Sequence, residues 1–381
     1  MSETKDVLTY ASGRDAFTAD LSALAEYGPR ASALLAGPAV SLHDHPVRLP
    51  APLTADTWAA HRASGRDVLA GKELANSPLD VVVASCLSIP ELDYVRSWAA
   101  SLAAEVAAAP GLTLGLDVRQ LDGLALQAPS PDAPILVFLG LEDLGSVSDL
   151  RGVEELYALG IRSAGISYNT GTAFGGGLAQ EEDLGLTGLG RDAVSLMNEL
   201  GMVIDVSHAG DRTALETAEV TGAPLVISHA GARQVWPSAR MKPDEVIQAI
   251  AATGGIIGIE AAPGSTRTSP DHGGHDVDDV VRHIEYCAEL VGVEHVGLGG
   301  DTFYGDHVGF YRALGSAPVS PEGVAPFDGE LVPGAENPTE VPVQLVYRLL
   351  QRGWSDQDVA RVLGGNALAV MRRALAGSRT H

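Results

Sequence analysis

The stretch MVIDVSHAGDRTALETAEVTGAPLVISH, residues 202–229, contains one complete repeating unit of this chain. Two short apolar runs, MVIDVS and PLVISH, lie on either side of DRTALETAEV, which has helical periodicity. Each run is apolar nearly throughout, as expected for a parallel strand that is covered on both faces. The runs are followed by or end in a histidine, His208 and His229. The stretch therefore predicts a strand–helix–strand unit with an imidazole at the end of each strand.

Eight apolar runs of this kind occur along the chain, and helical segments separate most of them. The runs occupy residues 39–44, 80–86, 134–140, 161–167, 202–207, 224–229, 255–260 and 295–301. Eight strands that alternate with helices predict an α/β fold, a (β/α)8 TIM barrel. A doubly wound open sheet is the alternative, but the glycine fingerprint of that fold does not follow the first run.

The barrel is expected to occupy residues 37–381 as a single domain. Residues 1–36 predict an N-terminal helical extension that packs on the barrel. Residues 302–338 follow the eighth run and are rich in glycine and proline, so we expect a long loop at the barrel mouth, either a lid or a subunit contact. Near the C-terminus, SDQDVARVLGGNALAVMRRAL predicts two helices joined by a Gly-Gly-Asn turn.

The composition limits the partners and the location of the protein. The 381 residues carry a formal net charge of −24, which argues against binding to nucleic acid or to an anionic membrane surface. Cys86 and Cys287 stand in apolar contexts and make no disulfide framework. We see no apolar segment typical of a secretory signal, and none long enough to span a bilayer. We therefore expect a cytoplasmic protein.

The first run leads into SLHDHPVRLP, residues 41–50, which has two histidines one residue apart. Side chains alternate along a strand, so His43 and His45 are expected on the same side. Two protonated imidazoles would repel each other there, whereas a metal ion binds both in the neutral form. A pair of surface histidines at a strand end is the alternative for this stretch taken alone.

Polar or titratable side chains stand at seven of the eight predicted strand ends. They are His43 and His45 after the first run, Glu142 after the third, Tyr168 and Asn169 after the fourth, His208 and His229 at the fifth and sixth, Glu260 at the seventh and Asp301 at the eighth. Strand ends meet at one rim of a TIM barrel, where its active sites lie. Imidazole and carboxylate ligands suit zinc and related divalent metals. Because the candidates exceed one tetrahedral site, we predict two metal ions bridged by a carboxylate.

Five stretches of the chain carry a family resemblance. They are EELYALGIRSAGISYN, GLTGLGRDAVSLMNELGMVIDVSHAGD, APLVISHAGAR, HVGLGGD and ENPTEVPVQLVYRLLQRGWSDQDVARVLGGNAL. These resemble the renal (membrane) dipeptidase family, peptidase family M19, whose members are amidohydrolase-like metal-dependent barrels with a binuclear zinc site. The resemblance covers roughly residues 37–375 and is densest over 150–375. It implies a barrel of the metal-dependent hydrolase type that holds two divalent metal ions, expected to be Zn²⁺.

The resemblance also implies a metal ligand set. His43 matches the first histidine ligand, and Glu142 matches the bridging glutamate. His208 and His229 match the histidines of the second metal. His45 stands where the family has an aspartate ligand, so it is expected to bind metal as a neutral group and to make the site less negative by one charge.

Further residues match the catalytic and substrate positions of the family. Asp301 matches the aspartate that contacts the metal and shuttles a proton. Arg240, eleven residues after His229, matches the arginine that binds the substrate carboxylate. Tyr168 replaces a histidine that contacts the substrate, and its hydroxyl could donate to an oxyanion. Glu260 stands where an uncharged residue is expected, and it either restores the lost negative charge or binds a substrate amine.

The residues and the resemblance together predict a dipeptidase-like metallohydrolase that cleaves an amide bond in a dipeptide or dipeptide-like small molecule, with a specialised substrate. The alternative is a divergent member without peptidase activity that binds a ligand or catalyses another metal-dependent reaction. The departures at His45 and Tyr168 keep this alternative open. A homodimer is also left open.

Overall fold

Eight parallel strands close on themselves to form the predicted barrel. The structure is a computed structural model that describes residues 22–64, 67–126, 133–269, 275–314 and 330–377. The strands are β1 (Val40–Arg48), β2 (Val81–Cys86), β3 (Leu112–Gly115), β4 (Ile135–Leu141), β5 (Ile161–Gly165), β6 (Val203–Asp205), β7 (Val226–Ala230), β8 (Ile256–Ile259), β9 (Val296–Leu298) and β10 (Phe303–Tyr304). The barrel order is β1-β2-β4-β5-β6-β7-β8-β9, and Ser41 pairs with Leu298 to close it.

Two strands lie outside the eight that the sequence predicts. β3 pairs with the first half of β4, and β5 pairs with the second half of the same edge. β10 has two residues and runs parallel to the end of β1. Both are too short to give a clear pattern in the sequence. Each is stabilised by pairing with a longer neighbour, β3 with β4 and β10 with β1.

The helices lie mostly between successive barrel strands. They are α1 (Gly28–Leu35), α2 (Ala55–Ser64), α3 (Gly71–Ala75), α4 (Leu92–Ala108), α5 (Val118–Leu126), α6 (Leu150–Ala158), α7 (Gly188–Leu200), α8 (Asp211–Val220), α9 (Asp244–Ala252), α10 (Val277–Val291), α11 (His307–Leu314), α12 (Glu340–Gln351), α13 (Asp356–Ala360) and α14 (Asn366–Leu375). Local signals define several ends. Thr187 caps the start of α7 through its side chain, and Gly201 ends that helix in the left-handed region.

The N-terminal end of the barrel is filled with apolar side chains. The first residues of several strands form one buried cluster with α5 and α14, to which Val40, Val81, Leu121, Leu368 and Met371 belong. A second and larger cluster lies between the strands and the surrounding helices. Because the lower end is packed solid, polar chemistry is confined to the opposite end of the barrel, where the strands finish.

A bulge in β1 sets the direction of its histidines. Between Ser41 and Asp44 this strand advances by three residues while β2 advances by two. The extra residue reverses the alternation of side chains. Leu42 packs in the apolar cluster inside the barrel, and after the bulge His43 and His45 also face the inside. The two histidines therefore lie on one side, as the sequence predicts.

The outer segments of the chain were predicted less accurately. Residues 1–21 of the predicted N-terminal extension lie outside the described residues, while α1 packs on α12. Residues 315–329 of the predicted loop also lie outside them, and the part before these forms β10 and α11. The predicted Gly-Gly-Asn turn is wrong, because a π-helical turn at Arg361–Gly365 keeps the chain helical from α13 into α14. None of the helices in the described part of the chain is both long and apolar enough to cross a membrane.

Candidate active site

Four side chains from three strand ends form a first group of ligand atoms at the barrel mouth. The Nε2 atoms of His43 and His45 lie 3.4 Å apart. Each is 3.5 Å from Glu142 Oε1. Asp301 Oδ1 lies 3.7 Å from the first Nε2 and 3.3 Å from the second. The predicted ligands of the first metal are therefore brought together, and His45 takes a position in the group.

A second group uses the other oxygen of the same glutamate. His208 Nε2 and His229 Nε2 lie 3.0 Å apart. Glu142 Oε2 is 3.5 Å from His208 Nε2 and 3.8 Å from His229 Nε2. A single carboxylate thus lies between two separate pairs of imidazoles, and it offers one oxygen to each pair.

This donor set fits divalent metal ions. Ligands about 2.0–2.1 Å from a tetrahedral metal lie about 3.3–3.4 Å from one another, close to the spacings in both groups. Glu142 Oε2 is buried without a hydrogen-bond partner among the described residues, which is costly unless a cation lies beside it. The two Nε2 atoms of each pair also lie only 3.4 and 3.0 Å apart, an arrangement that a shared cation stabilises when both rings are neutral.

The outer nitrogens of the first two histidines are held by a residue of β2. Nδ1 of His45 lies 2.8 Å from the backbone oxygen of Ser85, and Nδ1 of His43 lies 3.0 Å from Ser85 Oγ. A proton on each Nδ1 satisfies these contacts and leaves Nε2 as a lone pair directed at the site. The sequence did not reveal Ser85, which lies about forty residues from its partners.

The second pair of histidines is oriented in the same way. His208 Nδ1 lies 2.9 Å from Asn169 Oδ1. His229 Nδ1 lies 2.7 Å from Ser228 Oγ, which in turn donates to Asp205 Oδ2 at 2.5 Å. This relay fixes the ring of His229 and increases its basicity through a buried carboxylate.

The backbone at Asp301 is in a rare conformation. Its φ is 51°, in the left-handed region that few residues other than glycine adopt. Its N–H donates to the His43 carbonyl, and the next residue, Thr302, donates from N and Oγ1 to Asp44 Oδ1 at 3.0 and 2.8 Å. Asp44, the middle residue of the His-Asp-His run, thus points away from the histidines and anchors the segment that carries Asp301.

The buried carboxylates of the site remain ionised. Burial raises the pKa of Glu142 and Asp301, but the neighbouring histidines outweigh it and hold both pKa values well below their usual range. Burial lowers the pKa of His45, yet hydrogen bonds and charge from these two acids raise it to about 10. Such a concentration of negative charge inside the protein requires positive charge beside it, as a metal ion would supply.

The second pair of histidines is neutral. Burial and the nearby positive charge of Arg240 hold the pKa of His208 well below its usual value. Burial, followed by the charges of His43 and Arg240, does the same for the pKa of His229. Neutral imidazole is the form that binds metal, so these two rings are ready to act as ligands.

A cavity of about 230 Å³ opens above the two groups. Its wall combines polar side chains with an aromatic surface to which Trp58, Tyr168, Phe303, Phe310 and Tyr311 contribute. Glu142, His45, His208 and Asp301 reach its floor, and Arg62, Arg240 and Glu260 line it as well. The size and the mixed lining suit a small molecule that has both apolar and charged parts.

Arg240 and Glu260 bind each other. The family resemblance predicts that Arg240 binds the substrate carboxylate. It predicts that Glu260 either restores the negative charge lost at His45 or binds a substrate amine. In the structure, Arg240 Nη2 donates to Glu260 Oε2 and also to the His229 carbonyl at 2.7 Å. The Glu260 side chain is 0% exposed and one of its oxygens accepts from Arg240, so a substrate amine would have to displace that contact. The structure therefore pairs two charges whose contact with each other the sequence did not predict.

Comparison with known proteins identifies the family of the chain. Residues 123–311 match the family model described as membrane dipeptidase, peptidase family M19. Over this stretch the chain belongs to the membrane dipeptidase family. Dipeptidase 3 of Mus musculus is 27% identical over 329 residues, which are 84% of this chain and 55% of that protein. Dipeptidase aclJ of Aspergillus oryzae is 31% identical over 236 residues, which are 61% and 50% of the two chains.

The chain thus spans about half the length of these curated relatives of the membrane dipeptidase family. A solved structure of an amidohydrolase from Pseudomonas aeruginosa superposes with a TM-score of 0.72 at 22% identity, and the match covers 91% of this chain and 99% of that one. At this identity the likeness shows the barrel fold.

Tyr168 is the remaining departure of this family member. Its ring stacks on His208, with centroids 4.2 Å apart. Desolvation is the main reason why the pKa of its hydroxyl is raised well above the usual value, and the negative charge of Glu142 is the second. The hydroxyl is therefore a neutral donor at the cavity wall, beside the second pair of ligands.

Proposed function

We propose that this chain is a metal-dependent hydrolase that cleaves the amide bond of a dipeptide or of a dipeptide-like small molecule. The observation that carries the proposal is the position of Glu142, which offers one oxygen to each of two pairs of imidazole nitrogens beneath a cavity with an aromatic wall. Membership of the membrane dipeptidase family supports the same reaction.

We infer that two ions are held, and that both are Zn²⁺. His43, His45, Asp301 and one oxygen of Glu142 would hold the first, since nitrogen and carboxylate donors suit zinc. The other oxygen of that glutamate, with His208 and His229, would hold the second. When bound, such a pair supplies an acidified water and Lewis-acid polarisation of the scissile carbonyl.

The side chains of the cavity supply the remaining chemistry. The carboxylate of Asp301 accepts the proton of the attacking water and passes it to the leaving amine, for which its ionised state and its place at the cavity wall suit it. Tyr168 donates a hydrogen bond to the oxygen that becomes negative. The aromatic wall lowers the polarity around a bound substrate, which strengthens both interactions.

Metal content and peptide hydrolysis test this proposal together. Purified protein should contain two zinc ions per chain by elemental analysis, and His208→Ala and His229→Ala should each lose about one of them. His295→Ala is the matched control, because His295 binds the Gly255 carbonyl outside the site. Wild type should hydrolyse members of a dipeptide library and lose this activity with a chelator. Unchanged metal content in both site variants would contradict the ligand set, and no hydrolysis by metal-loaded protein would contradict the activity.

A cytoplasmic location, a homodimer and a specialised substrate remain predictions from the sequence. The specialised substrate rests on the departures at His45 and Tyr168. The variant His45→Asp/Tyr168→His should gain activity on plain dipeptides if those departures narrow the specificity.

A further inference from the structure

The charge of Arg240 is already neutralised inside the protein. Its guanidinium binds Glu260, whose side chain is completely buried, and two backbone carbonyls, those of His229 at 2.7 Å and Ser207 at 3.5 Å. Only 12% of the Arg240 side chain is exposed. A substrate carboxylate that approached this wall would meet an ion pair with no net charge, and it could compete for the guanidinium only by displacing a buried acid.

A second arginine lines the same cavity and carries an unneutralised charge. Arg62 lies on α2, one helical turn after Trp58, and both reach the cavity wall. Its guanidinium lies over the ring of Tyr94, 5.3 Å from the centroid. Within the described part of the chain it forms no ion pair with a carboxylate. An aromatic face holds a guanidinium in place without neutralising it, so the donors remain available to a ligand.

The charges of the cavity give a substrate one favourable orientation. Glu142 and Asp301 keep the floor rich in negative charge, and this floor is where bound metal ions would polarise the scissile amide. The Arg240–Glu260 pair is neutral as a unit. Of the described residues that line the cavity, Arg62 is the arginine without an acidic partner, and it marks the place where a free carboxylate is most stable.

We propose that Arg62 is the residue that binds the free carboxylate of the substrate, in place of Arg240. This inference rests on the proposed function, because it concerns how the same substrate lies in the cavity. The ligand class is a small peptide-like acid whose amide lies over the two ligand groups and whose carboxylate reaches α2. Arg240 then acts as a positioning residue that holds the His229 backbone and Glu260.

Binding of a non-hydrolysable probe tests the assignment without relying on turnover. The probes are a phosphinate isostere of Ala-Ala with a free C-terminal carboxylate and the same isostere with a C-terminal carboxamide. Isothermal titration of zinc-loaded wild type should show a preference for the acid of about tenfold or more, as one charge-assisted hydrogen bond provides. Arg62→Gln should lose this preference. Arg240→Gln should keep the preference for the acid, even if its affinities for the acid and the amide probe both decrease. Arg151→Gln, an exposed arginine on α6, is the matched charge control and should behave as wild type.

The outcomes separate this inference from the proposed function. Preference for the acid that persists in Arg62→Gln and disappears in Arg240→Gln overturns the inference, while hydrolysis by wild type leaves the function intact. Equal binding of the acid and the amide by wild type also overturns it. An Arg62-dependent preference in a protein that hydrolyses no dipeptide supports the inference and refutes the function. If neither probe binds, the inference is refuted, and hydrolysis of the dipeptide library decides the function by itself.

Discussion

The ion pair between Arg240 and Glu260 predicts a specific effect of removing its acid. Glu260→Gln keeps the size of the side chain and removes one negative charge. Arg240 cannot release its proton, so the variant leaves a guanidinium near the barrel interior with only backbone carbonyls and a side-chain amide to accept its hydrogen bonds. Breaking a buried pair by removing one partner usually costs about 3–5 kcal/mol.

The exposed fractions of the two side chains place the expected cost just below that range. Glu260 is 0% exposed and Arg240 is 12% exposed, so the cation retains some contact with water in the cavity. The amide oxygen of glutamine also replaces one acceptor. We therefore expect Glu260→Gln to lower the free energy of unfolding by about 2–3 kcal/mol. Arg240→Gln/Glu260→Gln should cost less than the sum of the two single variants, because no charge is then left alone.

Urea unfolding followed by tryptophan fluorescence measures these differences. A chelator should be present throughout, since bound metal stabilises the folded state by mass action and would mask them. A coupling free energy close to zero in the double-mutant cycle would refute the reasoning. The same variant also frees the charge of Arg240, so the acid form of the phosphinate probe should bind Glu260→Gln more tightly than wild type by about tenfold. Unchanged affinity would show that Arg240 cannot turn toward the cavity.

Three further predictions follow from single contacts. Ser228→Ala removes the link between His229 and Asp205 and should weaken metal affinity about 10- to 100-fold in a chelator competition titration; equal affinity would contradict the relay. Tyr168→Phe should lower kcat about 100-fold with little change in KM, and a change confined to KM would contradict its role as an oxyanion donor. Burial lowers the pKa of Lys242 from 10.5 to about 7. Between pH 10.5 and pH 7 the lysine is therefore protonated in the unfolded chain but neutral in the folded one, and this favours the unfolded state. The stability advantage of Lys242→Met should therefore grow to about 4–5 kcal/mol as pH falls from 10.5 to 7 and then level off; a pH-independent difference would contradict this.

Much of the barrel and of its metal site could be predicted from local patterns. Apolar runs with helical segments between them define the eight barrel strands, because strand and helix periodicity depends on residues close in the chain. Parallel strands end at one rim, so the side chains after each run were expected to converge there. This reasoning placed His43, His45, Glu142, His208 and His229 together, as the structure shows.

The contacts that orient those ligands could not be predicted in the same way. Ser85 holds two histidines from about forty positions away, and Asp44 binds Thr302, which lies 258 positions further along the chain. Serine and aspartate are common near strand ends, so nothing in their local sequence distinguishes these two. The short β3 and β10 were missed for a similar reason, since each is stabilised by a neighbouring strand rather than by its own pattern.

The sequence by itself thus determined the strands, their order of alternation with helices, and the residue types that meet at the barrel mouth. Only the tertiary structure decided which of those charges pair with one another. The family resemblance predicted that Arg240 binds a substrate carboxylate and that Glu260 either restores a negative charge or binds an amine, but not that the two pair. Nothing in the local sequence distinguished Arg62 on α2. The physical reason is that a charge acts according to its distance from other charges and from water, and folding sets those distances between residues that are far apart in the chain.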